Sequence, residues 1–387
     1  MRTVLSVFLL LVTSQMASAQ VDCFVYADVG QTIVSGVSTE GVANVNAAKE
    51  LTIPRQVVKV LYNAFASLRS NQNFNDMTID GGNPEFEMQD GRNALSDVVQ
   101  SLTAITINGS GMTTANIGTM LDGLGADNNI ETIDIYNDAF PFDASITTTA
   151  SLTKAKVVLP ASRVGSQQIG GAKIYGRFTM KEGAELATFC GNALFYDEND
   201  GSNFLFYIPT EVVEQQEEKR IHIQRVRYIL PYQGILMHHT ENSSLTVSLP
   251  RVDEKPADVQ YKADTTRFAG NMLVGVTEPT AIGNTTVKDG EAYVNMILKS
   301  GFFYPTSGGT LGANRAYLQV KQSDVQNARI GIAFGEEDEA TSIHPHTSEG
   351  THQTSTFNHQ PSQWYTFSGQ RLADRPRQPG FYKKVKK

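Results

Sequence analysis

Along the first half of the chain the apolar residues recur in one spacing. A leading apolar position is followed by two free positions, an apolar one, a free one and another apolar one. It reads Ala48-x-x-Leu51-x-Ile53, Phe74-x-x-Met77-x-Ile79, Leu102-x-x-Ile105-x-Ile107, Ile130-x-x-Ile133-x-Ile135 and Leu152-x-x-Ala155-x-Val157, with starts 26, 28, 28 and 22 residues apart. The closing two apolar positions are two residues apart, so on a strand they point to the same side. One such strand cannot bury that side, whereas stacked neighbours share a continuous core.

Leucine-rich repeats have a period of roughly 20–29 residues and an L-x-x-L-x-L core. The spacing therefore predicts an irregular leucine-rich repeat solenoid of about five repeats, occupying residues 20–185. Leu51-Thr52-Ile53-Pro54, followed by Val57, Val60 and Asn63-Ala64-Phe65, resembles the unit of BspA-like leucine-rich repeat proteins. Ala139-Phe140 supplies a second Ala-Phe, and Thr32-Ile33-Val34-Ser35-Gly36 resembles the entry segment of Bacteroidales members. The periods are uneven, and the second and third repeats lack the Ala-Phe. The resemblance implies an exported surface or secreted protein whose repeats bind ligands.

On strands with that inward set, the outward residues are Glu50, Thr52, Asp76, Thr78, Asp80, Thr106, Asn108, Thr132, Asp134, Tyr136, Lys154 and Lys156. This is a Thr- and Asp-rich ladder with one aromatic and a basic end. An ordinary solvated sheet face also alternates in this way; an extended concave face that recognises protein or glycan is the functional alternative. The ligand-binding candidates are Thr78, Asp80, Thr106, Asn108, Thr132, Asp134, Tyr136, Lys154 and Lys156.

From about residue 172 short alternating segments replace the long period. Ile221-x-Ile223, Leu245-x-Val247-x-Leu249, Tyr293-Val294 with Ile297, and Tyr317-x-Gln319 read as strands between Gly, Asn and Asp turns. That predicts a mainly antiparallel β-sandwich over residues 186–334. Phe195-Tyr196 and Phe204–Tyr207 flank Asp197–Asn203, whose Asp200-Gly201 is a hairpin signal. The same run departs from a calcium loop, because Gly201 is fifth from Asp197 and Ile208 stands where the bidentate Glu belongs. Asn271–Gly275, Ser300–Tyr304, Gly309–Leu311 and Ala316–Leu318 together resemble a β module recurrent in secreted Bacteroidales proteins, which implies an accessory domain without chemistry.

The ends add destination rather than chemistry. Arg2, the apolar Val7–Val12 and Ala17-Ser18-Ala19 give a cleavable secretory signal over residues 1–19. No other segment is long and apolar enough to span a bilayer. Residues 335–363, starting at Glu336-Glu337-Asp338-Glu339, read as a disordered linker; its His344, His346, His352 and His359 lack the carboxylates of a metal site. Residues 364–387 resemble the end of a Bacteroidales secretion tail, which implies contact with secretion machinery. They hold a local excess of positive charge: residues 371–387 carry +6, against a formal net charge of -8 for the chain. An acidic chain of this kind is not a general nucleic-acid binder.

No G-x-S-x-G, Walker loop, H-E-x-x-H or Rossmann fingerprint occurs. No metal or cofactor is expected, and no catalytic residue stands out. Cys23 and Cys190 are open to two readings, an export-permitted disulfide or a buried free thiol at Cys190. The expectation is a non-enzymatic protein, secreted or held at the outer-membrane surface, that adheres to a host or microbial surface protein or glycan. The alternatives are a structural envelope protein without a specific ligand, and a glycoside hydrolase whose carboxylate pair is set in space rather than along the chain.

Overall fold

A computed structural model of the chain describes residues 23–334, apart from 110, 138, 141–143, 199–203, 216–217, 240–244, 254–269 and 326–328, together with the strand backbones Gln363–Thr366, Arg371–Leu372 and Tyr382–Val385. The signal segment, the His-containing linker and the polar turn at 199–203 lie outside these residues. The described residues through Phe334 belong to one compact unit and the last three strands to another.

The apolar triplets align as parallel neighbours. Glu50–Ile53, Asp76–Asp80, Ala104–Asn108, Thr132–Ile135 and Lys156–Pro160 pair in sequence order, with Leu51, Met77, Ile105, Ile133 and Val157 in one register row. Those residues, and Ile53, Ile79, Ile107, Ile135 and Leu159 two positions on, are buried. The sheet then continues. Lys173–Thr179 joins parallel to the Lys156 strand, and Thr246–Pro250 pairs antiparallel to the Lys173 strand as the seventh member.

A leucine-rich repeat solenoid followed by a separate sandwich is therefore not the architecture. The protein is mostly β, in mixed and antiparallel sheets with few helices. The chain segments between the parallel strands are unlike one another. Helix Thr39–Ala48 precedes the first strand, short 3-10 turns Ala66–Leu68 and Ala94–Asp97 precede the second and third, and helix Thr114–Asp122 precedes the fourth. Their anchors differ too. Ser38 Oγ accepts from the Gly41 N–H at 2.9 Å to cap the first helix. The buried Asp97 carboxylate accepts from Arg69 at 2.7 Å and Arg92 at 3.2 Å. Asp122 accepts from the Thr149 N–H and the Thr148 and Thr149 hydroxyls. The x-x-apolar-x-apolar spacing fixes which side chains share a side of a strand; it does not fix how the chain returns.

A smaller sheet, Phe24–Tyr26, Ile33–Val37, Lys59–Val60 and Glu85–Phe86, faces the same core through Phe24, Val34, Val60 and Phe86. That core does not divide at residue 185. It runs from Phe24 to Leu249 and includes Phe189, Phe195, Phe204, Phe206, Ile235 and Met237.

The second half is built round a sheet of Leu186–Phe189, Ile235–His239, Phe204–Gln215, Glu218–Arg225 and Gly331–Ala333 in that order, antiparallel except for its last pair. Alternation puts Phe204, Phe206 and Ile208 into the first core, and Tyr207 into a second. The other wall of the second core is an antiparallel sheet with Leu273, Met296, Phe303 and Leu318. The β-rich character expected for this half is present, but its middle sheet contributes buried side chains to both cores.

The predicted hairpin does not form. Phe195–Tyr196 pairs with Tyr228–Ile229, while Phe204–Gln215 pairs with the Ile235 and Glu218 strands. An Asp-Gly turn reverses the chain; it does not oblige the two flanking segments to pair. Cys23 and Cys190 are not bonded, Cys190 being buried and Cys23 partly exposed.

In the last unit Gln363–Thr366 is the middle strand, antiparallel to Arg371–Leu372 on one edge and Tyr382–Val385 on the other.

Candidate functional site

The outward side chains of the parallel strands fall into three register rows. Thr52, Thr78, Thr106 and Asp134 form the middle row, continued by Val158 and Tyr175. Glu50, Asp76, Ala104, Thr132, Lys156 and Lys173 form a second. Asp80 and Asn108 pair in the third, at whose level Tyr136 follows Ile135 and donates its N–H to the Ile107 carbonyl at 2.8 Å. Eight of the nine candidates thus lie on or directly after these strands. Lys154 does not; it occupies the exposed turn before the Lys156 strand.

The face is acidic at its Glu50–Asp76–Asp80 end and basic at its Lys156–Lys173 end. The basic end is also structured. The Lys156 ammonium sits 4.2 Å from the Tyr175 ring centroid. Arg177 lies 3.6 Å from the Tyr136 centroid, donates to the Ile135 carbonyl at 2.9 Å, and pairs with Asp134. Burial pushes the Arg177 guanidinium down to about 10, so it is a cation at neutral pH. A buried guanidinium needs such partners, since unpaired charge in an apolar setting is costly. Asp134 and the Ile135 carbonyl hold Arg177, and Arg177 in turn backs one face of Tyr136. Tyr136 remains 46% exposed.

Tyr175, Arg177 and Lys173 were not among the expected candidates, because the period appeared to end at Val157. Their signal was present in period 2: Lys173, Tyr175, Arg177 and Thr179 alternate with Ile174, Gly176 and Phe178.

Beside this cluster is a cleft of about 550 Å³. Tyr136, Arg177 and Thr179 form its wall on the long sheet, Pro160–Arg163 its rim, and Phe189 and Met237 its apolar side. Ala313, Asn314 and Arg315 close it from the second half of the same unit. The size falls in the range of small-ligand sites, roughly 300–1,000 Å³. No acidic side chain lines it among the described residues.

A second hollow of about 490 Å³ is lined by Lys288, Tyr293, Gln319 and Lys321, among others. Several of its polar groups already have protein partners: Lys321 pairs with Glu291, and Asn271 donates to the Gly234 carbonyl. Buried Asn295 donates to the Gly283 carbonyl and accepts from Gln319, and Lys288 pairs with Gln319. Asn295, Gln319 and Lys288 thus form a connected network at this hollow.

No group of three or more His, Cys, Asp or Glu side chains suited to a metal occurs among the described residues. Among the same residues, no helix is long and apolar enough to cross a membrane. No family model, curated protein or solved structure matches the chain. The BspA-like resemblance therefore rests on its own residues alone.

Proposed function

We propose that this chain is an exported, non-enzymatic binding protein that acts in the surroundings of the cell or at its surface, recognising a surface protein or glycan. The recognition surface is the outward face of the parallel strands, and its anchor is the Tyr136–Arg177 cluster at the basic end. The observation that carries the reading is one arrangement: a polar row, Thr78–Thr106–Asp134, that leads to a half-exposed aromatic ring fixed against a buried cation at the lip of a cleft. Ligand sites combine such preset aromatic anchors with a few convergent polar groups. Export is supported by the Arg2, Val7–Val12 and Ala17-Ser18-Ala19 pattern.

The test is binding of the purified full chain to arrays of glycans and extracellular-matrix proteins. At least one class of ligand should be retained, and Tyr136→Ala should weaken it by about tenfold or more, as for a central aromatic contact. Thr106→Ala should weaken it less. Retention of no ligand, or binding indifferent to Tyr136, would return the chain to the structural alternative.

A further inference from the structure

We propose that the cleft beside Tyr136 selects a sugar residue bearing a carboxylate, such as a hexuronic acid. The inference rests on the binding reading above and assigns its ligand class.

Arg163, Arg177 and Arg315 are in the lining of the cleft, and no acidic side chain among the described residues shares that lining. Arg177 is neutralised by Asp134, which is not part of the lining, so it acts as a positioning residue for Tyr136. Arg163 ends the short turn Ala161–Arg163 within the lining, and Arg315 brings a further positive charge to it. Arg315 is exposed and makes no ion pair among the described residues. A local cationic site attracts an anion even on a chain of net charge -8.

The backbone under Arg315 is held in position. Asn314 takes the left-handed conformation at φ 57°. Its side-chain amide donates to the Cys190 carbonyl at 3.1 Å, and its own carbonyl accepts from the Cys190 N–H. On the other side of Arg315, the Ala316 N–H donates to the Thr188 hydroxyl at 3.2 Å. Both neighbours of Arg315 are thus tied to the strand that forms the opposite wall. Such fixing lowers the ordering cost of binding.

Charge alone would suit any anion; the remaining wall narrows the class. Tyr136 offers ring surface not covered by Arg177, and Phe189, Met237 and Pro160 add apolar area. An occupant with both an apolar face and a carboxylate fits this division. A sugar ring presents its C–H face to an aromatic, while a carboxylate on the ring receives the planar donor fork of arginine.

The probes are methyl β-glucuronide and methyl β-glucoside, which differ in the C6 carboxylate, titrated against the full chain by calorimetry or ligand-observed NMR. The glucuronide should bind about tenfold or more tightly than the glucoside, as charge-assisted hydrogen bonds require. Arg315→Gln should bring the two within about threefold, and high salt should do likewise because the contact is partly exposed. Acetate serves as the bare-anion control and should not compete with the glucuronide at equal concentration. Equal binding of the two glycosides, lost in Tyr136→Ala, would overturn the charge assignment and leave the binding reading intact. Failure of both glycosides, or competition by acetate, would overturn the assignment as well, and the arrays would then judge the binding reading on their own.

Discussion

The parallel strands from Glu50 to Pro160 and the sheet centred on Phe204–Gln215 solve the same problem of burial differently. Most of the parallel strands bury one side and keep Thr, Asp and Asn on the other. The middle strand of the second half is packed on both sides over Phe204–Pro209, so these residues run as near-continuous apolar sequence with Phe206 and Tyr207 serving opposite cores. A sheet with one open face has surface to spend on recognition. A sheet with none is a structural partition. Where the first kind meets the second, the open face gains a wall. The cleft beside Tyr136 is that place.

The largest effect should come from the seam between the two regions. Phe178, at the end of the sixth parallel strand, makes edge contacts with Phe189, Phe195 and Phe206 at centroid distances of 5.0, 5.1 and 5.4 Å. Phe178→Ala should cost about 3–5 kcal/mol, the usual penalty for emptying a buried aromatic site, measured as a shift in the urea midpoint. Thr106→Ala, on the open face, should remain within about 0.5 kcal/mol. Similar costs for the two would mean that the parallel region and the rest are not joined through Phe178.

A smaller effect tests the closeness of the seam. Gly176 has no side chain, and a β-carbon there would lie 2.3 Å from the Phe195 ring. Gly176→Ala should therefore destabilise by about 1–3 kcal/mol through overpacking. Gly183, in an exposed turn where a β-carbon would meet nothing within 4 Å, tests the other reason for a glycine, its positive φ of 74°. Its replacement should cost less, since strain without a clash is about 1 kcal/mol.

How much of this was legible in the sequence follows from the same comparison. The triplets Leu51–Ile53 to Ile133–Ile135 announced strands and their inward sides, because period-2 alternation is strong where one face stays wet. The assignment to a repeat solenoid failed because that alternation is silent about the return path, which proves to be a helix in one place and a short turn in another. The seventh strand comes from Thr246–Pro250, some 67 residues beyond Thr179 in the chain, and no local pattern can announce such a partner. The hairpin at Phe195–Phe204 failed for a related reason: a turn signal constrains four residues, whereas pairing is decided by the buried faces. Of the site, Asp134 and Tyr136 were readable as outward residues. Arg177 was masked by the apparent end of the period. Arg163 and Arg315 are 152 residues apart in sequence and are brought to one cleft only by the packing of the two regions.

The smallest effect asks whether the two regions loosen together. Each has a lysine–carboxylate pair at its surface: the half-buried Lys59 with Glu87 at 2.9 Å in the N-terminal sheet, and the exposed Lys321 with Glu291 at 2.6 Å in the distal sheet. The hydrogen bond from its lysine holds each carboxyl below the usual value of 4.5. A carboxyl depressed in the folded state lends stability that is full above its unfolded value and disappears as pH falls through the folded one. Glu87→Gln and Glu291→Gln should therefore each lower the urea midpoint slightly at pH 7, with the deficit shrinking below pH 4.5 and in high salt. Hydrogen exchange separates the alternatives. Because Phe206 and Tyr207 alternate between the cores on one strand, either substitution should speed exchange at both Ile105 and Leu318 by the same factor at the level of global opening. If Glu87→Gln moved Ile105 alone and Glu291→Gln moved Leu318 alone, the shared sheet would not couple the regions, and the cleft between them would open without unfolding either.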